Sequence, residues 1–347
     1  VHERYGGVVP ELASPGKTFV MVAGTMEMKR TGVVKKPMII ALKSTIPQIV
    51  ESYRSAYPMA KVLAPMEKDF EKKNRMRLFS KIANNEWDCI IMSHENYGKI
   101  PHEKAIQEEL INDELDQLRE EEAEYMAENN RSALKGVQIR IKNLEARLDK
   151  LADISKDNSL TFEQMGIDHI MVDESQQFKN LSYLTKQRGI AGLGKAEGSK
   201  RSFNLLVGLR YLQRKNKADK GATFLSGTPI TNSIVEMYSL LNYLRPNKMA
   251  ELGFTSFDSW ATTFANPTMD IEFTVTNNIK QKTRFREFMN VPELSMLYTE
   301  IADIRTDENL KLDKPKMKGN GYTVEEIKMN EDQIEFGKRL TKFAETK

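Results

Sequence analysis

Four short apolar runs, each closed by a turn of small, polar or charged residues, constrain this chain more than any other feature. They are Pro37–Leu42, Trp87–Met92, Ile170–Val172 and Ala222–Leu225. Runs this short and this apolar are of the buried-strand type. Helical segments accompany them: Phe19–Arg30 ahead of the first run, which Gly32 is placed to stop, and Ile46–Ala56 after it, which ends near Pro58. Apolar strands alternating with helices predict an α/β protein with a mostly parallel sheet covered on both faces. Ahead of the first helix, Gly6-Gly7 reads as opening a loop and Gly16-Lys17-Thr18 as closing it.

One segment breaks the rhythm. Residues 102–158 are strongly charged, and Val137, Ile141, Leu144, Leu148 and Leu151 step by four, three, four and three residues. That is a heptad seam. Ile111, Leu115, Leu118 and Tyr125 supply a matching seam upstream, and Glu128–Ser132 is the polar turn between them. The pattern predicts an antiparallel helical hairpin inserted between two strands, either a solvated spur packed on itself or an arm that contacts DNA or a partner. The chain divides accordingly into a first part of the lobe (1–101), the hairpin (102–158), a second part (159–250), a helical extension (251–310) and a linker with the start of a second lobe (311–347). Trp260, Phe264, Phe285 and Phe288 suggest packed helices in the extension.

Three turns carry chemistry. Gly16-Lys17-Thr18 follows a loop and opens a helix, where backbone N–H groups and the positive helix end favour a phosphate. There Lys17 can reach the outer phosphates and the Thr18 hydroxyl can ligate Mg²⁺. Asp173-Glu174 ends an apolar strand, the position at which open parallel sheets bind ligands. Asp173 can hold Mg²⁺ through water, and Glu174 can polarise an attacking water. Ser226-Gly227-Thr228-Pro229 ends another strand and can hydrogen-bond the acidic pair. Each string has a plain alternative: a chance GKT, a helix cap with a solvated acid, an ordinary turn. Their order and spacing together point to an NTPase lobe. The single cysteine, Cys89, excludes an intrachain disulfide and a cysteine-based zinc site, and a reducing cytosolic setting fits. A net charge of +3 permits a nucleic-acid partner without arguing for one. No apolar run approaches the roughly 20 residues of a membrane span.

With these residues in view, the chain resembles SNF2-like superfamily 2 DNA helicases, in particular the branch of bacteriophages and mobile elements often joined to DNA adenine methyltransferases. The resemblance rests on Gly16-Lys17-Thr18-Phe19, on Asp173-Glu174-Ser175-Gln176 continued as Phe178-Lys179-Asn180-Leu181, on Ser226-Gly227-Thr228-Pro229-Ile230, and on Ser93-His94-Glu95-Asn96-Tyr97. It implies a RecA-like P-loop NTPase lobe, ATP and Mg²⁺ as ligands, and DNA as the track. It implies nucleotide contacts from Gly16, Lys17, Thr18, Gln176, Ser226 and Thr228, metal contacts from Thr18 and Asp173, and Glu174 as the base that orients water. It places Lys43, Ser44, Ser93 and His94 toward the DNA backbone, a contact without sequence readout and strongly salt dependent.

The chain also departs from that branch. Ser14 stands at a usual glycine, Pro15 has no N–H for a phosphate, and Gln176 replaces the usual histidine. Leu42 and Ile49 stand where Pro and Trp are usual. A divergent ATP-dependent DNA motor and a non-catalytic DNA-binding or scaffolding lobe both remain open. The resemblance further implies an adenine-gripping segment upstream and arginine fingers on a second lobe beginning near Thr323. Without that transition-state charge, a term on the order of 10³ to 10⁵ in rate, the expectation is nucleotide binding with poor hydrolysis.

Overall fold

A computed structural model describes residues 7–10, 16–153, 160–187, 190–191, 198–230, 233–273, 279–305 and 327–345. Its centre is a sheet of six strands: β1 (Gly7–Pro10), β2 (Pro37–Ala41), β3 (Val62–Leu63), β4 (Cys89–Ser93), β5 (His169–Val172) and β7 (Ala222–Ser226). Their spatial order is β1-β7-β5-β2-β4-β3, and every neighbouring pair is parallel. The remaining strand before β7, β6 (Ile190–Ala191), belongs to a second sheet.

The apolar runs are continuous because both faces of the sheet are covered. Side chains alternate along a strand. Met38 and Ile40 of β2, Ile90 and Met92 of β4, and Ile170 and Val172 of β5 therefore enter one core. Ile39 and Ala41, Cys89 and Ile91, and Met171 enter the other. Helices α1 (Lys17–Arg30) and α2 (Ile46–Ala56) cover the second face through Met21, Val22, Ile49 and Tyr53. Helices α3 (Lys72–Asn84), α7 (Lys200–Asn216) and α8 (Val235–Leu244) cover the first. This is the α/β class with a parallel sheet expected from the sequence.

Between β4 and β5 the chain makes a one-turn helix, α4 (His94–Tyr97), and then two long helices, α5 (Lys104–Ala127) and α6 (Arg131–Asp153). Both seams meet in one apolar cluster with Phe203 and Val207 of α7. The hairpin therefore packs on the lobe as well as on itself. Its two ends are tied together: the Phe162 N–H donates to the Pro101 carbonyl at 2.8 Å, and Glu163 accepts from the Glu103 N–H at 2.8 Å. The buried His102 ring lies 3.1 Å from the same carboxylate. Pinning both ends at one point lets the insertion leave β4 and β5 in register.

Two expectations change. Gly7 begins β1, which pairs with β7 from Gly7–Thr223 to Pro10–Ser226, so the loop is shorter than the glycines suggested. The extension at 251–310 is only partly helical. After α9 (Pro246–Glu251), α10 (Phe257–Phe264) leads into an antiparallel pair, β8 (Ala265–Phe273) and β9 (Ile279–Phe288), before α11 (Val291–Thr299). Phe285 and Phe288 thus lie on a strand. Its sequence alternates charged residues with others at period two from Lys280 to Arg286, a strand signature that the isolated aromatics obscured. A final helix, α12, spans Glu331–Glu345. Ser14, Pro15 and Thr323 lie outside the described residues.

Candidate functional site

The chemistry-bearing turns converge because parallel strands end on the same edge. Val172 pairs with Phe224 and with Ile40, Ala41 with Ser93, and Pro10 with Ser226. The carboxyl ends of β1, β7, β5, β2 and β4 therefore deliver the start of α1, the Ser226 turn, the acidic pair, Lys43-Ser44 and His94 to one rim.

At this rim a continuous chain of hydrogen bonds joins the three turns. Lys17 Nζ donates to Glu174 Oε1 at 2.6 Å. Gln176 Nε2 donates to Glu174 Oε2 at 2.5 Å, and Ser226 Oγ donates to Gln176 Oε1 at 2.7 Å. The Thr228 N–H then donates to Ser226 Oγ at 3.0 Å. Gln176 suits the middle position because its amide offers a donor to the carboxylate and an acceptor to the hydroxyl at once.

The two adjacent carboxyls have opposite environments. Asp173 is 5% exposed. Burial and the neighbouring Glu174 charge push its carboxyl above the usual carboxylate range, against the pull of Lys17. Burial also acts to raise Glu174, but the hydrogen bonds from Lys17 and Gln176 outweigh it and hold that carboxyl below its usual range. Neighbouring acids whose environments push them apart are suited to different roles. Glu174 adopts φ 50°, ψ 53°, a left-handed conformation uncommon for a residue with a Cβ. Such strain persists only where its surroundings hold it. Here the one-turn helix Ser175–Phe178 is clamped behind it. The Phe178 carbonyl accepts from Ser202 Oγ at 2.9 Å and from Tyr243 Oη at 3.0 Å, and Lys179 pairs with Glu236 at 2.8 Å.

At the start of α1, Lys17 and Thr18 are half-buried and Phe19 is exposed, and no acidic side chain occupies the first turn. The N–H groups of its first turn, with Lys17 beside them, are of the kind that can receive an anion. The oxygen donors at this end, the Thr18 hydroxyl and the Asp173 carboxylate in its ionised form, are of the type that suits Mg²⁺, with no thiolate or imidazole ligand required. Among the described residues there is no cluster of three or more metal-ligating side chains. Any such ion would therefore depend on the phosphates for most of its ligands.

Lys43 and Ser44 are exposed, with Lys43 paired to Glu67 at 2.6 Å. Ser93 and His94 are corrected: each is 4% exposed. Ser93 Oγ caps α4 by accepting from the Asn96 N–H at 3.1 Å. His94 Nε2 lies 2.9 Å from the Asp173 carbonyl, and its ring meets Phe178 edge-on at 5.0 Å. Burial lowers the His94 pKa, which favours a neutral ring. His94 positions the acidic turn from inside and Ser93 closes the start of α4, and neither side chain presents itself to a strand of nucleic acid. The clamping residues Ser202, Glu236 and Tyr243 had no signal in the sequence, because their roles exist only once α7 and α8 are stacked.

Comparison with known proteins gives three findings. A family model described as a probable helicase domain matches residues 1–306. "Defense against restriction protein B" of Escherichia phage P1 is similar at 22% identity over 153 residues, 43% of this chain and 7% of that protein. The Sulfolobus solfataricus SWI2/SNF2 ATPase core in complex with dsDNA aligns at 14% identity with a TM-score of 0.44, over 89% of this chain and 42% of that one. The chain thus spans only a small part of the phage protein and less than half of the ATPase core. No helix among the described residues is long and apolar enough to cross a membrane.

Proposed function

Because the chain belongs to the family of probable helicase domains, we propose that it is an ATP-dependent motor lobe that couples nucleotide binding and hydrolysis to movement on DNA. The observation that supports this reading best is the hydrogen-bonded path from Lys17 through Glu174 and Gln176 to Ser226 and Thr228. It links a phosphate-binding helix end to an acidic pair and to a third turn. A change at the phosphates can therefore shift a distant strand end.

In this proposal ATP approaches the start of α1, and its outer phosphates replace Glu174 as the partner of Lys17. Mg²⁺, held by Thr18 and Asp173, supplies charge neutralisation on the phosphate oxygens when bound. Glu174, released from Lys17, orients a water for attack and accepts its proton. Gln176 follows Glu174, and Ser226 and Thr228 pass the change to the β7 turn. Lys43 and Ser44 meet the DNA backbone on the same rim. A second RecA-like lobe completes the site, and a place among phage or mobile-element proteins, acting in the cytoplasm, is in keeping with the resemblance to a phage protein.

A non-catalytic scaffolding lobe is the second reading, and Pro15 favours it because a proline has no N–H to offer a phosphate. Fluorescence anisotropy of a labelled duplex separates the two. The motor reading expects DNA affinity that falls steeply with salt and changes when a non-hydrolysable ATP analogue is added, a change lost in Lys17→Ala. A DNA affinity indifferent to nucleotide contradicts it.

A further inference from the structure

Between the inserted hairpin and the helices of the lobe lies a cleft of about 430 Å³ that the proposed motor chemistry does not use. Pockets of this size commonly hold a ligand or an anchoring side chain. One wall is α5, with Leu110, Asp113 and Gln117; the opposite wall comes from α8, α9 and the turn into α10. Aromatic rings line it in a preformed array. Tyr183 and Tyr238 both pack on Phe257, with ring centroids 4.9 and 5.3 Å away.

The charges of the cleft are ordered. Arg210 lines it, its guanidinium held by Gln213 Oε1 at 2.7 Å, Asn242 Oδ1 at 2.7 Å and the Asn242 carbonyl at 3.0 Å. Burial lowers its pKa to about 10, so it is still a cation at neutral pH. The rim is acidic. Helix α5 carries nine acidic residues against two cations, Lys104 and Arg119. Burial and the neighbouring Glu109 push the exposed Asp113 carboxyl upward against Arg214. One turn beyond Gln117, Glu121 is raised by burial and by Asp258 and Glu124, against Arg140 and Lys186. For both carboxyls burial is the main cause of the rise, and the surplus of acids along α5 sets the negative charge of the rim.

This pattern selects an occupant. Phosphates are repelled by α5, which argues against nucleic acid. A bare ammonium seated among the rings would meet Arg210. A neutral apolar anchor suits the rings, cations suit the rim, and a backbone carbonyl suits the guanidinium. We propose that the cleft between α5 and α8–α9 is a docking pocket for a basic segment of a partner protein, seating one aromatic or large aliphatic side chain against Tyr183, Tyr238 and Phe257 while flanking Lys or Arg residues meet Asp113 and Glu121. This assigns the hairpin a role in partner recruitment, and the assignment does not depend on the nucleotide site.

The test uses the full chain and a fluorescein-labelled peptide in which one Trp is flanked on each side by Lys-Arg. Anisotropy should show saturable binding. The same peptide with Ala for Trp should bind at least about tenfold more weakly, the scale of a lost buried anchor. Ala250→Trp, a substitution at an exposed position lining the cleft, should block binding to a similar extent. Asp113→Lys should weaken it by about tenfold, whereas Asp116→Lys, the same charge change at an exposed α5 position that does not line the cleft, should alter it by less than about twofold. Melting curves verify that each variant is folded. The proposal is overturned by no saturable binding to the folded chain, by equal affinity for the Ala peptide, by equal effects of the two Asp substitutions, or by displacement of the peptide with single-stranded DNA.

Discussion

Replacing Glu174 by Gln should tighten nucleotide binding while it loosens the nucleotide-free fold. The Lys17–Glu174 pair is 2.6 Å long, with side chains 14% and 24% exposed. An exposed pair contributes about 0–1 kcal/mol, and breaking a buried one costs about 3–5 kcal/mol. Discounted for its partial exposure, this pair is worth about 1–2 kcal/mol. Glu174→Gln keeps the shape and the bond from Gln176 in part, but removes the charge that holds the Lys17 ammonium. The ligand-free chain should lose about 1–2 kcal/mol in urea unfolding. When ATP binds the original chain, its phosphates must displace Glu174 from Lys17, and the same energy is subtracted from affinity. The variant is spared that exchange, so its affinity for a Mg²⁺-bound non-hydrolysable ATP analogue should rise about 5–30-fold in calorimetry. Any hydrolysis should fall, because the proton acceptor is gone. An affinity that is unchanged or lower, in a variant that melts cooperatively, refutes the idea that Glu174 and phosphate compete for Lys17.

Other perturbations test other parts of the structure. Ser226→Ala removes a buried hydroxyl that serves both Gln176 and the Thr228 N–H, and should cost about 1–3 kcal/mol; faster hydrogen exchange at Thr228 would report it, and unchanged exchange would place that amide on another partner. The raised Asp173 carboxyl means the folded chain holds a proton that the unfolded chain releases, so stability falls as pH rises from the usual carboxylate range through the raised value. Asp173→Asn should therefore raise the melting temperature at pH 8 and hardly change it at pH 4, while abolishing Mg²⁺-dependent nucleotide binding. A Cβ on Gly208 would lie 2.3 Å from Tyr97 Oη and 3.2 Å from His102 Cε1, so Gly208→Ala should overpack the base of the hairpin and lower stability by about 1–3 kcal/mol in thermal unfolding.

Where the sequence was legible, burial made it so. Central strands such as β2 and β5 are enclosed on both faces, so they read as unbroken apolar runs, and the turns after them could be placed on one rim. The heptad steps from Val137 to Leu151 revealed α6 because a helix pair repeats its contacts. Strand β1 was hidden by its glycine and by its brevity. The β8–β9 pair was hidden because its alternation is charged and lies among aromatics that also suit helices. At the site, Lys17, Asp173 and Glu174 were legible as chemistry, but the bridging geometry of Gln176 depends on β7 lying beside β5. The inward turn of His94 was illegible for the same reason, since the Asp173 carbonyl is a tertiary partner 79 residues away, whereas the Ser93 cap on α4 is a local contact that the resemblance to a DNA-facing segment obscured.

The motor reading stands on the rim of the sheet being a working nucleotide site. Calorimetric titration of the chain with a non-hydrolysable ATP analogue, with and without Mg²⁺, tests it most directly. Binding that requires Mg²⁺ and disappears in both Lys17→Ala and Asp173→Asn is the predicted result. Absence of binding to the folded chain would contradict the motor reading and leave the rim as scaffold.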